Sequence, residues 1–152
     1  MINDGAEAYR GVIAADCWKE PYMPRDELCS AMDDGILFWA WVEVERLSAV
    51  MGLQHVSDVS LIRHAYTRTG RQGRGFGAAL LSELQGQTTR PLLVGTWRAA
   101  WWAITFYQRR GFQLVTPEQK VRLLRRYWTV PDRQIEESVV LADNRARATL
   151  DL

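Results

Sequence analysis

The spacing of apolar and polar positions changes period several times along the chain, and each change marks an element. Ala6–Ile13 carries apolar residues at helical spacing, with Asp4 ahead of it as an N-cap. Pro21 and Pro24 break regular structure over Lys19–Arg25, and a second helix is predicted from Asp26 to about Met32, ended by the turn Asp33-Asp34-Gly35. Ile36–Val44, Leu47–Val56 and Val59–Thr67 are rich in aromatic and β-branched residues and are joined by short polar links, the pattern of an antiparallel meander of three strands. A helical period then takes over, because Phe76, Leu80, Leu81 and Leu84 share one face of a helix that Gly86 terminates. Pro91–Gly95 reads as a short buried strand, and Thr96 as the cap of a helix from about Trp97 to Arg110, closed by Gly111. Phe112–Val115, Val121–Tyr127 and Ile135–Leu141 read as strands, although the alternating Arg and Leu of Val121–Tyr127 also suit a helical turn. A meander followed by strand-to-helix passages gives a mixed α/β chain.

Composition narrows what such a chain does. At 152 residues with 47% hydrophobic side chains and no linker, repeat or low-complexity tract, one domain spanning 1–152 with one core is expected. Nineteen basic residues against eighteen acidic ones supply no general field for nucleic acid or an anionic membrane, so neither partner is expected and any anion site must be local. No apolar run approaches the roughly 20 residues that span a bilayer, and Met1–Ala15 lacks the features of a signal peptide. Cys17 and Cys29 form neither a disulfide framework nor a zinc spacing, so no metal is expected and a cytoplasmic setting is the simplest. Most of the seven tryptophans are expected in the core, with one or two lining a substrate cleft.

The candidate chemistry starts at Gln72-Gly73-Arg74-Gly75-Phe76-Gly77, between the strand ending near Thr67 and the helix starting near Gly75. A helix's first turn presents backbone N–H groups with no intrahelical partner, and glycines let a phosphate approach them closely. Arg68, Arg71 and Arg74 surround the turn and can add charge-assisted bonds to a pyrophosphate, although a solvated basic loop has the same composition. Gly73 to Ala78 also satisfies the G-x-G-x-x-A dinucleotide pattern. That pattern requires an acidic residue about 20 positions on, where this chain has Gly95, Thr96 and Trp97, and a parallel rather than antiparallel start.

The same residues match the Q/R-x-x-G-x-G/A motif of the GNAT superfamily of N-acetyltransferases as Gln72-x-x-Gly75-x-Gly77. Phe106-Tyr107-Gln108-Arg109-Arg110-Gly111-Phe112 resembles that family's tyrosine helix and closing Gly-Phe, with Ala103 at the small position one turn before the tyrosine. The resemblance runs from about Ala6 to Ala142, and the chain looks similar to an uncharacterised subgroup. It implies a mixed, mostly antiparallel sheet with helices on both faces, splayed to admit the pantetheine arm of acetyl-CoA. The pyrophosphate would lie on the amides of Gln72 to Gly77, and Ala65, Tyr66 and Thr67 would pair with pantetheine. The reaction implied is direct acetyl transfer to a primary amine of a small molecule or peptide. Tyr107 is the match for the acid that protonates the departing thiolate. His64, on the strand before the turn, is the candidate base, with Glu43, Glu45, Asp58 and water as alternatives.

Two departures limit the resemblance. Many members carry a coenzyme-contacting asparagine where this chain has Ala100, and the family's first strand is missing, because the chain opens on a helix. An uncovered sheet edge invites pairing with a second subunit, so a homodimer is expected. The Trp18–Pro24 segment and the aromatic strands can form an acceptor pocket. Asp16, Glu20, Asp26 and Glu27 are available to attract a cation there, although solvated surface charge explains them equally well. The alternative from another class is an acyl-CoA-binding module without catalysis.

Overall fold

The computed structural model describes residues 1–152. Strands β1 (Leu37–Glu43), β2 (Arg46–Val56) and β3 (Val59–Thr67) form the antiparallel meander that their aromatic and β-branched content predicts. Strands β4 (Leu92–Trp97), β5 (Gln113–Leu114) and β6 (Ser138–Ala142) extend it to one six-stranded sheet in the order β1-β2-β3-β4-β6-β5. Only β3 and β4 run parallel, and they pair over just three positions, Ser60↔Leu92, Leu61↔Leu93 and Ile62↔Val94. Beyond Ile62 and Val94 they part, while each keeps its outer neighbour: β3 pairs with β2 as far as Thr67, and β4 pairs with β6 as far as Trp97. The sheet is split along its centre.

Alternation of side chains across the sheet divides the apolar residues between two layers. Met51, Leu53, Ile62 and Val94 face helices α3 (Phe76–Gly86) and α4 (Trp101–Gln108), which bring Leu81, Leu84 and Tyr107 to that side. Val59, Leu61, Leu93 and Val140 face helices α5 (Pro117–Tyr127), α6 (Asp132–Glu137) and α7 (Asn144–Thr149), which contribute Leu123, Leu124, Ile135 and Ala146. The helices cover both faces, as expected, and no helix is long and apolar enough to cross a membrane. No strand precedes β1, which stands as an uncovered edge with Leu37, Val42 and the following Val44 exposed.

Several boundaries differ from the sequence reading, each for a local reason. The helix expected over Ala6–Ile13 does not form: α1 spans Ile2–Ala6, ahead of it, and is followed only by a 3-10 turn at Glu7–Tyr9, after which the chain extends at Arg10 and turns at Gly11 with a positive φ of 72°. Asp4 does not cap it. Its carboxylate instead accepts the Thr69 N–H at 2.8 Å and its carbonyl accepts the Thr69 hydroxyl at 2.9 Å, which ties α1 to the entrance of the glycine turn. The second helix, α2, spans Arg25–Asp33, starting directly after Pro24.

Thr96 lies inside β4 rather than at a helix start, because pairing with β6 continues to Trp97↔Ser138; α4 begins only at Trp101. Val121–Tyr127 belongs to α5. Thr116 and Gln119 form a capping box ahead of it with Pro117 at the first position, and the buried Leu123, Leu124 and Tyr127 recur at helical spacing. Pro131 starts α6 in the stretch read as a strand from Ile135, so β6 begins at Ser138.

The N-terminal helix is fitted closely to the strand it covers. A Cβ at Gly5 would lie 2.9 Å from Tyr66 Cβ and 3.0 Å from the Thr67 carbonyl oxygen, while one at Gly86 would meet nothing within 4 Å. Gly5→Ala is therefore expected to destabilise the protein by about 1–3 kcal/mol through overpacking, and Gly86→Ala to be neutral or stabilising by up to about 1 kcal/mol. Urea titration checks both; a Gly5→Ala protein as stable as the parent would contradict this packing.

Candidate active site

The split between β3 and β4 opens into a cleft of about 1100 Å³. One of its walls is shaped by an irregularity in β3. Val50 pairs with Tyr66 and Gly52 with Arg63, so Met51 alone opposes both His64 and Ala65. This is a β-bulge, and His64 takes a positive φ of 49° within it. The extra residue turns β3 away from β4 where their pairing ends. Arg63 and His64 consequently share a face: Arg63 donates to Gln54 Oε1 at 2.7 Å, and the His64 ring lies 5.8 Å from that of Phe38.

His64 lines the cleft, yet its Nε2 is enclosed and has no hydrogen-bond partner. Desolvation, with the Arg63 charge adding to it, lowers its pKa from 6.5 to about 4. The imidazole is therefore neutral at physiological pH and weakly basic, and its Nε2 is shut away.

At the cleft's far end the glycine turn meets α3. Gly75 precedes the helix in the left-handed region at φ 85°, and Gly73 also has a positive φ of 76°. Added Cβ atoms at Gly73 and Gly75 would meet nothing within 4 Å, so the backbone faces open space. The Ala79 N–H makes the first bond back to the Gly75 carbonyl, which leaves the amides of Phe76, Gly77 and Ala78 without helical acceptors. Together with the helix dipole they form a seat for an anion.

The three arginines of this region separate. Arg68 donates to the Leu47 carbonyl and does not line the cleft, and Arg71 lies 3.9 Å from Glu43. Arg74 lines the cleft and forms no salt bridge.

Helix α4, on the same face of the sheet as α3, brings Tyr107 to the cleft, with its ring held edge-on between Phe106 at 5.0 Å and Phe112 at 5.6 Å. Burial raises its pKa well above 10, with the Tyr9 phenol adding to the shift and Arg110 opposing it, so the hydroxyl keeps its proton. Ala103 lies one turn before Tyr107 and lines the cleft as well. Ala100 is buried at the start of α4 and has no side chain with which to cap it or reach a ligand.

Tyr107, His64, Ala65, Tyr66, Thr67 and Ala103 all border the same space as Gln72, Gly73, Arg74, Gly75, Phe76 and Gly77. Sequence reasoning missed most of the aromatic lining. None of the seven tryptophans is fully buried, and Trp97, Trp101, Trp102 and Trp128 line the cleft, the reverse of the expected partition. Tyr9 and Tyr22 also line it, and only the aromatic content of Trp18–Pro24 hinted at this.

The sequence profile described as Acetyltransferase (GNAT) domain matches residues 5–126. A search of curated proteins found no match. Among solved structures, a GNAT-family acetyltransferase from Staphylococcus aureus is similar at a TM-score of 0.66 and 14% identity, over 93% of this chain and 89% of that one. PaiA N-acetyltransferase from Thermoplasma acidophilum in complex with coenzyme A gives a TM-score of 0.62 at 12% identity, over 93% and 86%. A GNAT-family acetyltransferase from Elizabethkingia anophelis with acetyl-CoA bound gives 0.59 at 14%, over 79% and 82%. At these identities the likeness is one of fold.

The state of His64 has a measurable consequence. Because its folded pKa is depressed, the unfolded chain binds its proton first as pH falls, so stability present above pH 6.5 is lost between 6.5 and about 4. That loss is expected to be at most roughly 3 kcal/mol and to be absent in His64→Gln. Urea titrations across that range check it; identical pH slopes for the two proteins would contradict the buried neutral state.

Proposed function

Since the chain belongs to the acetyltransferase (GNAT) domain family, we propose that it is an N-acetyltransferase that transfers the acetyl group of acetyl-CoA directly to a primary amine. The observation that carries this reading is the division of labour within one cleft: an anion seat at α3, a split sheet, and a protonated phenol.

The residues present fit acetyl-CoA. The free amides of Phe76, Gly77 and Ala78 and the unpaired Arg74 suit its pyrophosphate, and the open backbone at Gly73 and Gly75 lets a phosphate approach. Ala65, Tyr66 and Thr67 of β3 no longer pair with β4, so their inward-facing groups are free for the amides of the pantetheine arm. Bound there, acetyl-CoA supplies an activated acyl group as its thioester.

The chain's own residues then have three tasks. The backbone at the bulge polarises the thioester carbonyl. The cleft's arginines lower the pKa of the incoming ammonium, which favours the neutral amine needed for attack, and its proton leaves to water. This arrangement asks little of His64, whose enclosed nitrogen is a poor base. Tyr107 donates its phenolic hydrogen to the departing sulfur.

Tyr107→Phe is expected to lower kcat by roughly 10²–10⁴-fold with coenzyme A affinity nearly unchanged. Thiol release and calorimetric titration read the two quantities. Unimpaired turnover in Tyr107→Phe would remove the phenol from the mechanism, and no thiol release by the parent with any amine would favour a binding module. The uncovered edge of β1 supports a homodimer formed by strand pairing, which light scattering tests; a monomer at all working concentrations would sink it.

A further inference from the structure

Segments far apart in the sequence send aromatic rings to one corner of the cleft. Tyr9 comes from the 3-10 turn after α1, Tyr22 from the loop before α2, and Tyr66 from β3 just past the bulge. Their ring centroids are 6.2 Å apart in all three pairs; Tyr9 and Tyr22 are parallel within 6°, and Tyr66 stands at 81° and 76° to them. Trp102 lies 5.4 Å from Tyr9, and Trp97 Nε1 donates to the Tyr22 hydroxyl at 3.1 Å, which fixes that ring. All five side chains line the cleft.

The charges around this corner are one-sided. Asp16 and Glu27 are the only acids lining the cleft. Each is already engaged: Arg133 binds both oxygens of Asp16, at 2.7 and 3.3 Å, and Lys19 pairs with Glu27. The remaining charged lining is basic. A polyamine or a lysine-rich peptide would bring several positive charges to arginines and find no free carboxylate. A ligand that presents a flat apolar surface and one amine brings a single positive charge and meets a smaller penalty, and offset or edge-on packing against the tyrosines favours it.

We propose that the acceptor is an arylalkylamine, a primary amine carried by a short alkyl link on an aromatic ring, with that ring seated against Tyr9, Tyr22 and Tyr66. This rests on the N-acetyltransferase reading. Tyr66 belongs to both sites, so an amine beside it stands next to the backbone that holds the thioester. The neutral amine nitrogen forms a bond to the acyl carbon, the carbon–sulfur bond breaks with its electron pair going to sulfur, the nitrogen loses one proton to water, the sulfur gains one from Tyr107, and the Tyr107 phenolate takes a proton back from water. The products are the arylalkyl acetamide and free coenzyme A.

Thiol release with acetyl-CoA is compared for phenethylamine, butylamine, spermidine and a short peptide with a free N-terminus. In parallel, calorimetry measures binding of the same amines to the coenzyme A-loaded protein. Phenethylamine is expected to exceed butylamine in kcat/KM by about tenfold or more, with spermidine and the peptide weaker still. Tyr22→Leu is expected to raise KM for phenethylamine far more than for butylamine, and Tyr22→Phe, which keeps the ring, to retain the preference. A preference for spermidine or the peptide, or equal losses for all amines in Tyr22→Leu, overturns the assignment. If no amine releases thiol, the N-acetyltransferase reading fails, and the binding arm still decides the pocket: selective phenethylamine binding weakened by Tyr22→Leu supports it, and no selectivity overturns it.

Discussion

Two central strands that part after three paired positions leave inward-facing backbone groups with no strand to bond. Buried N–H and C=O groups are costly when unpaired, so a permanent gap between β3 and β4 has to be both enforced and occupied. Enforcement is visible on both sides. The bulge at His64 and Ala65 adds a residue to β3, and pairing with β2 up to Thr67 and with β6 up to Trp97 holds each arm of the split to its own neighbour. Occupation is the work proposed for the pantetheine arm. The glycine turn, Tyr107 and the aromatic corner are useful only because this gap brings them to one space.

The partition of side chains follows from the same constraint. Leucine, isoleucine and valine fill the layers between sheet and helices, where close packing of aliphatic shapes is enough. The large rings are displaced toward the cleft, where one side is open and a phenol or indole N–H finds a partner, as Trp97 does with Tyr22. Trp101, 70% exposed, stands at the mouth of that space rather than in any core. The carboxylates are spent on arginines and lysines at the rim, so the interior of the cleft is aromatic and basic.

Much of this was legible in the sequence. Aromatic and β-branched runs with short polar joints marked the meander, the shift to a helical period marked α3, and Gly75 and Gly77 stood where a strand passes into a helix. The failures have physical causes. Val121–Tyr127 alternates Arg and Leu, which fits a strand until the Thr116, Pro117 and Gln119 cap is weighed. Thr96 looks like a cap because caps are recognised by residue type, whereas pairing across β4 and β6 decided its conformation. The bulge at His64 has no local signal, since a one-residue excess exists only relative to the partner strand. For the same reason the burial of His64 Nε2, and with it the loss of basicity, was invisible. The tyrosine corner depends on residues 9, 22 and 66 meeting in space, which no spacing along the chain reveals.

The proposal that the split and the glycine turn form one site for coenzyme A is tested most directly by calorimetric titration with acetyl-CoA and NAD in parallel. Both ligands carry a pyrophosphate, but only acetyl-CoA has a pantetheine arm for the gap between β3 and β4. Selective binding of acetyl-CoA, at micromolar strength with NAD far weaker, is the predicted result. Equal binding of NAD, or no binding of either ligand, would contradict it.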